Sequence, residues 1–107
     1  MKDEAAKILI NKIIKAQKWV DTLIEALESR IDVTVIDYKA RFNEFQIYKG
    51  IENLAKLYDE QLHFQHTEKT DEKDIYVGKV YFTHDGVTYF DVVTQEQKEE
   101  LLGGDVA

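Results

Sequence analysis

The stretch GKVYFTHDGVTYFDVV, residues 78–93, decides how this chain is read. Asp85-Gly86 lies between two runs rich in β-branched and aromatic residues, the strongest short-range signal of an antiparallel hairpin. Two turns compete for it. A two-residue type I′ turn pairs Phe82 with Tyr89, Tyr81 with Phe90 and Val80 with Asp91, which mixes apolar and charged groups on both faces. A three-residue loop of His84, Asp85 and Gly86, with Gly86 in a left-handed bulge position, moves the register by one. Lys79 then stands opposite Asp91 and Tyr81 opposite Tyr89 on one face. Val80, Phe82, Phe90 and Val92 gather on the other, where Gly78 leaves room for a large neighbour such as Trp19. Cross-strand pairs of these kinds contribute about 0.2–1 kcal/mol each, so the sequence favours the bulged register. Phe82 and Phe90 become core residues. Tyr81 and Tyr89, with Val77, Val87 and Val93, become an amphipathic strip that lies under another element or meets a partner.

Outward from the hairpin, the period of the apolar residues changes. From Asp3 to Ser29, Ala6, Leu9, Ile10, Ile13, Ala16, Val20, Leu23, Ile24 and Leu27 form a helical stripe, with Asp3 as the N-cap. Such a helix is about 40 Å long, against a diameter near 34 Å for a globule of this size. It must overhang, bend or meet a second chain. Its stripe fits a heptad through Ala6, Leu9, Ile13, Ala16, Val20, Leu23 and Leu27, and equally suits packing on a sheet, which is the reading preferred here. IDVTVIDY and NEFQIY alternate as strands, joined by KARFN as a hairpin, with a continuous helix over this region as the competitor. Residues 51–61 return to helical period, LHFQH reads as a short strand, and residues 67–73 as a charged loop. Thr94 and Gln97 form a capping box that starts a helix over residues 95–102, which Gly103 ends, leaving 104–107 as a frayed tail. The expected fold is a single α+β domain over 1–107: a long N-terminal helix packed on a mostly antiparallel sheet of about four to five strands, with a second helix and a short C-terminal one.

The formal charge of the 107 residues is −7 and unevenly placed. Residues 1–49 carry nine Lys/Arg against eight Asp/Glu, or +1, and residues 50–107 carry five against thirteen, or −8. An acidic half repels nucleic-acid phosphates and favours basic protein surfaces. Lys7, Lys12, Lys15 and Lys18 make the one basic feature, and they do not share a single face. With no cysteine and neither an apolar span nor a signal peptide legible in the chain, a cytoplasmic protein without membrane contact is expected.

Catalytic chemistry has little to work with. Ser29 is the one serine and sits at a helix end. EQLHFQH has one Glu-x-x-His spacing without the second copy that a di-iron site needs, and as strand residues His63 and His66 point to opposite faces. Glu68, Asp71, Glu72 and Asp74 lack the alternation and glycine of a calcium loop. No metal or cofactor is expected, and no catalytic residue. The expected partner is a protein, with Tyr81, Tyr89, Val87, Lys79, Asp91 and the acids Glu68, Asp71, Glu72 and Asp74 as its contact residues. A homo-oligomer formed through the first helix and a small ligand or enzymatic module at His63/His66 are the alternatives.

The order EFQIYKGIENLAKLYDEQL, an acidic gap, then VYFTHDGVTYFDV resembles small uncharacterised proteins of phages and prophages of Gram-positive bacteria, over roughly residues 45–93. The resemblance rests on Gly50, Ile51, Glu52, Leu54, Ala55 and Asp85-Gly86 with aromatics around them. It implies a mobile-element origin and no activity. A sharper expectation follows: an acidic inhibitor, of the DNA-mimic or anti-CRISPR kind, that occupies the basic groove of a nucleic-acid-binding or defence protein.

Overall fold

The computed structural model describes residues 3–68 and 73–103, and shows the expected α+β class. The chain forms two compact units, Met1–Arg30 and Ile31–Ala107. The first is the helix α1, Glu4–Glu28. Asp3 caps it as expected, its carboxylate accepting from the Ala6 N–H at 3.4 Å. At the other end the Ser29 hydroxyl donates to the Ala26 carbonyl at 2.7 Å and the Ser29 N–H to Glu25, so carbonyls of the last turn are satisfied.

The second unit is a five-stranded sheet in the order β1-β2-β5-β4-β3. Its strands are β1 Thr34–Lys39, β2 Glu44–Lys49, β3 His63–His66, β4 Tyr76–His84 and β5 Val87–Thr94. Every neighbouring pair is antiparallel except β2 and β5, which run parallel. The helix α2, Ile51–Leu57, follows β2, and α3, Gln95–Leu102, follows β5. β1 and β2 form the expected hairpin, linked by one 3-10 turn, Ala40–Phe42, that Asn43 closes at φ 49°. α2 stops four residues short of the expected end, because Asp59 turns into the left-handed region at φ 55° and the Glu60 N–H bonds back to the Ala55 carbonyl. α3 has its expected limits. The Thr94 hydroxyl accepts from the Gln97 N–H at 3.2 Å, and the Gln97 side chain accepts from the Thr94 N–H at 2.9 Å.

The hairpin of β4 and β5 departs from expectation in register. Phe82 pairs with Tyr89, Tyr81 with Phe90, Val80 with Asp91 and Lys79 with Val92. Asp85 at φ 50° and Gly86 at φ 78° are both left-handed, the signature of the two-residue type I′ turn. Directly paired residues share a face, so Val80, Phe82, Tyr89, Asp91 and Val93 lie together, and Tyr81, Lys79, Phe90 and Val92 lie on the reverse. The neighbours decide this. β2 lies along β5 and stacks Phe45 on Tyr89 at 5.2 Å, while Tyr58, just past α2, meets both Phe82 and Tyr89. Buried Ile51, Leu54 and Ala55 of α2 complete one core with Val33, Val35, Ile47, Val80, Phe82 and Val93. Three aromatic contacts and an apolar cover outweigh the charge mispairing that the hairpin alone presents.

Two glycines are required by close approach. Gly50 caps α2 at φ 89°, and a β-carbon there would run into the Asp32 carbonyl, to which the Asn53 side chain also donates at 2.7 Å. Gly78 does leave room for a large neighbour, and within its own unit Phe64 of β3 takes it. A β-carbon at Gly78 would also strike the Gln65 carbonyl.

Candidate interaction site

Amphipathic spacing makes α1 a helix, and taken by itself that helix presents an apolar stripe. None of its residues is buried. Ile13 is 67% exposed, Trp19 63% and Leu9 59%, and Ile8, Ile10, Ile14 and Leu23 are also exposed. Isolated apolar side chains on a surface are ordinary, whereas a contiguous row of this size marks an interaction site. Its charges are partly tied within the helix, Lys7 to Glu4 at 3.4 Å and Asp21 accepting from Gln17 at 3.0 Å.

The strip expected from Tyr81 and Tyr89 does not exist as one surface. Tyr89 is 8% exposed, stacked on Phe82 at 4.6 Å, and its phenol is held well above its ordinary pKa by burial and by a hydrogen bond with Tyr58. Tyr81 lies on the reverse face beside His63, ring centres 5.6 Å apart. Lys79 and Asp91 are likewise parted by the sheet, and Lys79 instead lies over the Phe90 ring at 5.2 Å. Val87 is half-buried opposite His84 at the turn. Of the acidic group, Glu68 is exposed and Asp74 is engaged by the Tyr76 N–H at 3.0 Å. Asp71 and Glu72 lie outside the described residues.

The misfit that argues against the type I′ register is present at Asp91. Its carboxyl is partly buried on the core face, paired with Val80 and near Glu52, and burial first, then the Glu52 charge, raises its pKa to about 7. Because the native state holds a proton that the unfolded chain, with an ordinary carboxyl near 4, has lost, this group's contribution falls as pH rises from about 4 to about 7. Asp91→Asn is expected to stabilise the protein at pH 8 by about 1–2 kcal/mol, discounted for partial exposure, and to do little at pH 4. Thermal melts of both proteins across that range check it; an equal effect at both pH values contradicts it.

No family model, curated protein or solved structure matches this chain. Its chemistry therefore has to come from its own geometry. At the hairpin tip, His84 stacks on Tyr58 at 4.3 Å, with Glu60 3.6 Å from one ring nitrogen and Asp85 3.4 Å from the other. This ties the turn to the segment after α2. No sequence signal marks Tyr58 and Glu60 as its partners, since only the fold brings residues 58–60 to residue 84. A cleft of about 600 Å³ has Leu62, Phe64 and Leu101 in its lining and Glu52, Lys56 and Lys98 around them, with Lys98 4.2 Å over the Phe64 ring. Its mixed signs select no charged ligand. His63 and His66 pair with Tyr81 and Gly78 on opposite faces, and among the described residues no three potential ligands converge on a metal position. No described helix is long and apolar enough to cross a membrane.

Proposed function

We propose that the protein is a non-enzymatic protein-binding module whose recognition surface is the apolar stripe of α1. The observation that carries this reading is a 25-residue helix with no buried residue. Helices in proteins owe most of their stability to packing of an amphipathic face. A stripe presenting Leu9, Ile13 and Leu23, with Trp19 at its border, supplies that face for a helix-in-groove or helix-on-helix contact. The strand surface expected from the sequence gives way to it, because Tyr89 belongs to the core.

The acidic half supports a second reading, in which the −8 of residues 50–107 meets a basic groove of a nucleic-acid-binding or defence protein. Affinity capture at low and at high salt, with wild type and with Ile13→Glu, separates the two. Ile13 is exposed, so the variant folds. Capture that survives salt and is lost with Ile13→Glu is the expected result. Capture lost with salt and kept by Ile13→Glu overturns the stripe in favour of the acidic surface.

A further inference from the structure

We infer that the outer edge of β3 is a strand-addition site for an extended peptide segment in which basic residues flank an apolar one; the site uses no residue of α1. β3 ends the sheet, so one of its edges has no neighbouring strand among the described residues. The Thr67 N–H donates to the Val77 carbonyl at 3.0 Å, which continues the β3–β4 ladder one pair beyond His66 and Gly78. Alternation along an antiparallel ladder then turns the N–H and C=O groups of Phe64 and His66 away from β4. Such a row of outward donors and acceptors is a template for another strand.

The two ends of the sheet differ in how they receive one. At β1 the register shifts between Thr34 and Val35 and again between Val35 and Asp37, and Asp37 and Lys39 put charges on the strand. Irregularities and charges of that kind deter pairing. β3 keeps an unbroken register over all four residues and carries no lysine, proline or acid. Directly opposed residues of neighbouring strands share a face. A peptide residue opposite Phe64 therefore sends its side chain into the cleft of about 600 Å³ that Phe64 lines with Leu62, Ala55 of α2 and Leu101 of α3. Within that cleft Glu52 and Glu60 balance Lys56 and Lys98, which suits an uncharged side chain. Beyond the ends of β3 stand exposed Asp59 and Glu68, in the half of the chain that carries −8, and these favour basic residues on either side of the apolar one.

The probe is a blocked Lys-Lys-Val-Thr-Val-Lys-Lys peptide, read by amide hydrogen exchange of the full chain. Two controls accompany it: the same peptide N-methylated at every amide of its Val-Thr-Val core, and one with glutamate in place of lysine. Exchange at the Phe64 and His66 amides is expected to slow by about tenfold with the first peptide and with neither control, while Gln65, whose N–H faces β4, changes little. Equal slowing with the methylated peptide overturns backbone pairing, and equal slowing with the glutamate peptide overturns the basic flanks. Slowing along β1 in place of β3 overturns the choice of edge. Slowing at Phe64 and His66 that grows with protein concentration when no peptide is present assigns the edge to a second copy and overturns the peptide as occupant. No slowing with any peptide overturns the site, and leaves the reading of the α1 stripe to its own test.

Discussion

Gly50→Ala is expected to cost about 3–5 kcal/mol, a large part of the 5–15 kcal/mol that holds a domain of this size together. Two penalties combine there. The backbone sits at φ 89°, where an L side chain is strained by about 1–2 kcal/mol, and the new β-carbon meets backbone atoms of Asp32 and Val33 rather than a movable side chain. Relief requires the segment before β1 to leave α2, breaking the Asn53–Asp32 hydrogen bond. Gly86 supplies the comparison. It has similar dihedral strain at φ 78°, but a β-carbon there meets nothing, so Gly86→Ala is expected to cost only the strain. Chemical denaturation of the two variants checks the order; equal costs would mean that the contact with Asp32 is dispensable.

Tyr89→Ala and Phe82→Ala are each expected to destabilise by about 3–5 kcal/mol, the range for removing a buried aromatic ring. The two rings stack at 4.6 Å with 12° between planes, and Tyr58 tilts against both. Their losses should therefore be less than additive, because removing one already strips the other of its partner. Tyr81→Ala, one position along the strand and on the reverse face, is expected to cost about 1 kcal/mol or less. Denaturation midpoints of the four proteins, including the double variant, test the register. Under the bulged alternative, Tyr89 and Tyr81 would behave alike.

What can be read from the residues follows the range of the forces involved. α3 is set by a capping box three residues wide, and its limits are those expected. α1 is set by periodicity over seven turns and is equally legible. The turn between β4 and β5 is different, since Asp85-Gly86 is compatible with either a two-residue or a three-residue loop, and the choice lies with side chains far away in the chain. Pairs within the hairpin alone favour placing Lys79 against Asp91. Phe45 and Tyr58, arriving from β2 and from the end of α2, reverse that preference and leave Asp91 partly buried with a raised pKa. The same limit explains why Phe64, arriving from β3, goes unforeseen as the residue that fills the space at Gly78. It also explains why Tyr89 looks like a surface residue when only the hairpin is considered.

For the stripe, sequence establishes the amphipathic face and does not say what covers it. A heptad stripe and a straight-helix stripe drift apart by only about 20° per heptad, so spacing alone separates them poorly. The proposed reading assigns that cover to an intermolecular contact.

Trp19 is the single tryptophan, and its fluorescence on dilution tests that contact most directly. Cover supplied by another chain is lost by mass action as concentration falls, whereas cover supplied by the chain itself is not. The emission is expected to be blue-shifted in concentrated solution and to move to that of a water-exposed indole on dilution, with the shift abolished in Ile13→Glu. A blue-shifted emission that stays constant at every concentration would show the stripe buried within its own chain, and would contradict the account.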